Sequence, residues 1–190
     1  MNTRQEPNQF YLYLQWPIYQ AQWYANEQHR LNHCEDEVVE QYVYDCSREP
    51  YELDAVETTR GTVERMILQQ YLTKPRQDDP IRPTEASICI RIPDFKQMGK
   101  PVGTYNYLPP KAQSMLEDAV KNRLRIELYG YITKVYRPHR EELTLESALL
   151  AWMEQHGIEN TEANYEAIKQ LYRRCLSNYL DYRRRNKRKE

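Results

Sequence analysis

The sequence predicts an α+β fold, with a small mixed or antiparallel sheet and helices in the N-terminal half and a helical C-terminal part containing a helix-turn-helix-like hairpin. Three observations carry this prediction. Apolar residues alternate with period two only in the first half, and they recur at three and four residues from Pro109 onward. The 190 residues are also long enough to bury a core, and 12% aromatics argue for folding despite 29% charged residues and a mean hydropathy of −0.95. The chain divides accordingly into an α+β part, residues 1–108, and a helical part with a basic tail, residues 109–190.

In chain order, Phe10, Leu12, Leu14 and Trp16 alternate with Tyr11, Tyr13 and Gln15, the pattern of a strand covered on at least one face. Pro17 suits a helix's first turn, and that helix carries Ile18, Tyr19, Trp23 and Tyr24 toward His29. Weaker strand patterns occupy 38–44 and 51–56. From Thr62 a helix places Val63, Met66, Ile67 and Tyr71 on one stripe, and Pro75 limits it. A connector with Pro75, Pro80 and Pro83 leads to the clearest strand, where Ala86, Ile88, Ile90 and Ile92 alternate with Ser87, Cys89 and Arg91. This strand is expected to be central to the sheet. Residues 93–110 are rich in turn formers and predict an ordered surface loop.

Pro109 and Pro110 can open a helix with Ala112, Met115, Leu116, Ala119, Val120 and Leu124 on one face, whereas 125–136 reads equally as helix or strand. Thr144 is a candidate N-cap for a helix with Leu145, Leu149, Trp152 and Met153 inward, and Gly157 with Ile158 marks its end. Asn160 or Thr161 then caps a long last helix bearing a seam of Tyr165, Ile168, Tyr172, Cys175, Tyr179 and Tyr182. The seam predicts burial within the chain, with a homodimer as the alternative because the pattern is heptad-like. The two helices and their short turn have the size of a helix-turn-helix, and an ordinary helical hairpin follows the same rules.

Seventeen Tyr against two Phe and three Trp predict many rings at the edge of the core, where their hydroxyls find partners. No apolar run approaches the ~20 residues needed to span a bilayer, and MNTRQEPNQF lacks the apolar stretch of a secretory signal. The expectation is a cytoplasmic protein with no membrane partner. Four cysteines (Cys34, Cys46, Cys89, Cys175) then read as reduced thiols.

Charge is the main functional clue. Residues 164–190 hold nine Lys/Arg against three Asp/Glu, so this segment carries +6 while the whole chain is −1. Lys169, Arg173, Arg174, Arg183, Arg184, Arg185, Lys187, Arg188 and Lys189 are the candidate nucleic-acid-binding residues, able to neutralise backbone phosphates. The competing reading is a solvated tail that complements the helix dipole. A recognition helix reads bases with its N-terminal residues, and here that end holds Asn160, Thr161, Glu162 and Asn164, which points to backbone affinity over sequence reading.

Other motifs support less. His29, His33 and Cys34, with Cys46, have the only metal-like spacing, but Arg30 stands where a zinc protease has Glu, so surface histidines and packed thiols are expected and no metal or other cofactor is assigned. His139 and His156 have no neighbouring nucleophile for a triad. Gly99, Lys100 and Gly103 lack the frame of a phosphate loop and read as a turn, and Glu141, Glu142 and Glu146 read as a solvated run. No His-x-x-Arg element supports a tyrosine recombinase. No catalytic residue is assigned.

The order ERMILQQYLTK, CIRIPDFK, YNYLPPKA, AWMEQHGIE and NYEAIKQLYRR resembles a family of small proteins associated with bacterial prophages and conjugative elements. It spans roughly residues 60–175, and that family has no assigned activity, so no functional residue is carried over. The resemblance implies a regulatory or DNA-handling accessory of a mobile element. The expected function is therefore non-enzymatic DNA association through the basic C-terminal helix, with a protein-interaction module lacking nucleic acid as the alternative.

Overall fold

A computed structural model describes residues 10–33, 42–76 and 85–187, with side chains through Leu180 apart from Tyr51. The alternating segments build one three-stranded mixed sheet, consistent with the α+β class. Strands β1 (Tyr11–Leu14), β2 (Ala55–Glu57) and β3 (Ile88–Arg91) lie in the order β1-β3-β2. β3 is central, as its isoleucines predict. It runs antiparallel to β1 with Tyr11 opposite Arg91 and Leu14 opposite Ile88, and parallel to β2 with Ala55 opposite Cys89. Beyond β1 the Ser87 hydroxyl extends the pairing by accepting from Trp16 N and donating to Trp16 O, both at 2.7 Å.

Helix α1 (Ile18–Asn32) follows Pro17, whose carbonyl accepts from Gln20 N and Ala21 N. It is an interior helix: Gln20 through Gln28 are all buried. Three of its glutamines each find a partner on surrounding elements, which offsets part of the cost of burying an amide. Gln20 Nε2 donates to Glu117 O at 3.0 Å, and Gln28 Oε1 accepts from Thr59 N and Oγ1 at 2.7 and 2.9 Å. Of the residues that mark this helix in the sequence, Trp23 and Tyr24 are buried and Ile18 is exposed, while the glutamines are inside.

Of the two weak strand patterns, 38–41 lies outside the described residues and 42–44 is irregular. The other begins late: Pro50–Glu52 is a 3-10 turn and pairing starts at Ala55. Helix α2 (Val63–Tyr71) is capped by Thr62, whose hydroxyl accepts from Arg65 N at 3.4 Å. Its inner face is turned from the expected stripe. Ile67 and Leu68 are buried, and Val63 and Met66 are more than half exposed. α2 connects the parallel pair β2 and β3, so the three form a βαβ unit. The following stretch, 93–108, is ordered by the bridges Phe95–Lys100 and Thr73–Tyr107 and buries Leu108.

Helix α3 (Pro110–Tyr131) buries Ala112, Leu116, Val120, Leu124 and Leu128, and ends in a π turn, Ile132–Tyr136. The ambiguous segment is thus helical. Helix α4 (Leu145–Gln155) starts with a capping box: Ser147 N donates to Thr144 Oγ1 at 3.0 Å and Thr144 N to Ser147 Oγ at 3.1 Å. It ends in a Schellman motif, with Ile158 N donating to Met153 O at 2.9 Å and Gly157 N to Glu154 O at 3.1 Å. Gly157 has φ +61°, and a Cβ there would stand 2.5 Å from Tyr42 O, so the turn also needs glycine for close packing. Helix α5 (Glu162–Lys187) is capped by Thr161, whose hydroxyl accepts from Asn164 N at 3.2 Å.

A single core runs from Leu12 on β1 through α3 to Tyr172 on α5, crossing the 108/109 division. Ten or so half-buried tyrosines and other apolar side chains line its edge, while Tyr24, Tyr44 and Tyr172 lie inside it. Among the described residues no helix is long and apolar enough to cross a membrane.

Candidate nucleic-acid interface

Helix propensity and the absence of Gly or Pro let α5 run 26 residues without interruption, about 39 Å at 1.5 Å per residue. Its first half is anchored. Ile168, Leu171 and Tyr172 are buried, Cys175 and Leu176 half-buried, and by Tyr179 the ring is exposed. The intrachain seam therefore covers only the first part of the predicted stripe.

The candidate basic residues separate along this axis. Lys169 Nζ donates to Glu166 Oε1 at 2.7 Å and sits 5.1 Å from the Tyr165 ring centre; the Glu166 bond raises its pKa. Its charge is already partnered. Arg173 and Arg174 are exposed and make no salt bridge among the described residues. Positions 183, 184, 185 and 187 continue the same helix, and 188 and 189 lie outside the described residues.

Neighbouring helices add to the positive field. Burial raises the pKa of the Tyr19 phenol on α1, Arg125 on α3 draws it partly back, Glu117 raises it, and Arg174 on α5 lowers it again, so cations of two helices act on one ring. Near the end of α3, Arg137 Nη2 donates to Tyr129 OH at 3.1 Å, and its guanidinium lies over the Tyr129 and Tyr179 rings. Sequence reasoning missed Arg125 and Arg137, because only the packing of α3 beside α5 brings Arg137 over the Tyr179 ring and Arg125 into the field of Cys175.

The opposite end of α5 is tied to the body of the protein through Asn164. Asn164 is buried, with Nδ2 donating to Glu159 O at 3.0 Å and to Gln22 Oε1 at 3.4 Å, and Glu159 N also donates to Gln22 Oε1 at 3.0 Å. The helix N-terminus is thereby docked on α1.

The remaining motifs have structural partners. His29 stacks on Tyr42 at 4.7 Å and meets His33 at 4.3 Å in a tilted arrangement, and the His33 Nδ1 lies 2.9 Å from His29 O. Cys34 lies outside the described residues, while Cys46, Cys89 and Cys175 are free thiols, with burial pushing Cys46 and Cys89 up to about 12. The Lys100 Nζ donates to Gln69 O and Gln70 O at 2.8 Å, satisfying carbonyls at the end of α2.

One cluster has no signal in the sequence. Donor atoms of Glu27, Glu127 and His156 lie within 4.8 Å of one another. They come from α1, α3 and the end of α4. Both Glu27 oxygens already accept from Arg30, at 3.0 Å each, and Oε1 also accepts from Arg123 at 2.7 Å. Arg123 in turn lies 3.5 Å from Glu64 and over the Trp23 ring. Burial raises the Glu127 pKa and lowers that of His156 to about 4, so the imidazole is neutral at pH 7. The guanidiniums meet the carboxylates here, and the cluster reads as an ionic tie between three helices.

Comparison with known protein families, curated proteins and solved structures finds no match to this chain.

Proposed function

We propose that the protein is a non-enzymatic, DNA-associated accessory or regulatory factor that holds backbone phosphate along α5. The observation carrying this reading is the uninterrupted helix to Lys187, which presents exposed Arg173 and Arg174 without carboxylate partners and continues into the arginine-rich end. Phosphate contacts from such a helix give affinity with little sequence information, and the docked N-terminal turn fits that division. The likeness to mobile-element proteins rests on the motif order alone and agrees with such a role.

The test is binding to a fluorescent duplex across a salt series. If three of the six cations in 183–190 reach phosphates, their deletion should flatten the log–log salt slope by roughly 2.7, at about 0.9 per contact. Weak, salt-independent retention of the full chain would reject nucleic acid and favour a protein partner.

A further inference from the structure

We propose that the cavity at the carboxyl ends of β2 and β3 binds a small organic anion, a carboxylate or phosphate monoester, through Arg65 and the Thr58 hydroxyl. Adjacent parallel strands leave a crevice at their carboxyl ends when the chain departs from each in a different direction, and ligands of βαβ folds favour that place. Here α2 follows β2, and the loop from Pro93 follows β3. The cavity has a volume of about 610 Å³, within the range of small-molecule sites. Phe10, Tyr11, Ile92, Pro93 and Val102 supply an apolar wall.

The polar groups of the lining are unequal. Arg91 is paired with Glu57 across the strands, and Asp94 Oδ1 accepts from the backbone N–H of Lys96 and Val102. Arg65 has no such counterion. One guanidinium N–H donates to Thr58 O at 2.8 Å and the group lies 5.7 Å from the Phe95 ring centre, but it makes no salt bridge among the described residues. Burial first, and then the neighbouring Arg60, lower its pKa, and the Glu57 carboxylate draws it partly back. Thr58 is a second, independent sign. It is 4% exposed, lines the same cavity, and its hydroxyl has no hydrogen-bond partner. Buried hydroxyls are rarely left so. Glu57 offsets Arg91 and two backbone N–H groups hold Asp94, so Arg65 is the lining cation without a salt-bridge partner among the described residues, and a neutral molecule would leave it so. An anionic oxygen accepts from both the guanidinium and the hydroxyl, while an aromatic or aliphatic body meets the apolar wall.

Calorimetric titration of the full chain with phenyl phosphate and with benzoate, at matched ionic strength, tests this. Saturable binding of at least one probe is expected, and the probe that binds tells phosphate esters from carboxylates. Arg65→Gln should weaken binding about tenfold or more, since a charge-assisted bond is lost. Because that change also touches the Thr58 carbonyl, Thr58→Val is the second variant. It should weaken binding several-fold while leaving the melting temperature of the unliganded protein equal or higher. Deleting 183–190 should leave probe binding unchanged, separating this site from α5. No saturable binding of either probe, or binding indifferent to both substitutions, overturns the proposal.

Discussion

Residue by residue, the polar interior is what distinguishes this protein. Tyr44 is fully buried because its hydroxyl has two partners, donating to Asp54 O at 2.9 Å and accepting from Cys89 N at 3.0 Å on the central strand. Tyr44→Phe strands that buried N–H and should cost about 1–3 kcal/mol in denaturant unfolding; a cost near zero would show that the bond adds nothing. His156 makes a pH prediction. It packs on Trp152, with Glu127 at 3.4 Å and Glu27 and Arg30 of α1 in its field, and burial dominates to lower its pKa from 6.5 to about 4. The unfolded chain therefore binds more protons between these values, so stability is full above pH 6.5 and declines toward pH 4. The Glu27 carboxylate offsets part of the burial effect, and the contribution is ~1–3 kcal/mol. His29, also lowered by burial, adds with the same sign, so the informative comparison is between wild type and His156→Gln. The variant should lose stability less steeply between pH 6.5 and 5, and parallel curves would assign the acid limb to other groups.

Among the elements, β3 carries the sheet. Ile88, Cys89 and Ile90 are all buried, so both faces of this strand are covered, and it pairs on both edges. Ile90→Ala should cost about 2–5 kcal/mol, read from the denaturation midpoint, and a loss below about half a kcal/mol would place Ile90 outside the core. This element was legible because β-branched residues with strict alternation admit few other readings. α4 was legible as well, since Thr144 and Gly157 fix its two ends by local hydrogen bonding. α1 was legible in place but not in burial. Its glutamines look like a solvated face, and their inward position depends on Glu117, Thr59 and Glu159, which are distant in sequence. The α2 stripe was misjudged for a similar reason: Met66 fits an apolar pattern, but α3 packs beside Ile67 and Leu68 and leaves Met66 in solvent.

At the scale of the whole molecule, the C-terminal helices and the sheet share one core, and α5 joins it only through its first turns. Tyr172, 4% exposed within its own chain, is the last fully buried residue of the seam. Tyr172→Glu should therefore unfold or strongly destabilise the protein in sedimentation and circular dichroism, whereas a folded monomer formed from a wild-type dimer would assign the seam to an intermolecular contact. Removing 183–190, by contrast, should leave the melting temperature nearly unchanged, because the buried seam has already ended by Tyr179. By itself the sequence determined the α+β class, the central strand, the caps of the C-terminal helices and the concentration of positive charge near the end of the chain. These rest on periodicity, capping chemistry and composition, which act between near neighbours. Only the tertiary structure decided which polar residues are inside, which arginines remain without a counterion, and that Glu27, Glu127 and His156 meet. Those outcomes depend on contacts between residues far apart in sequence, such as Arg123 to Glu27 and Asn164 to Gln22, and neither strand alternation nor helical spacing encodes them.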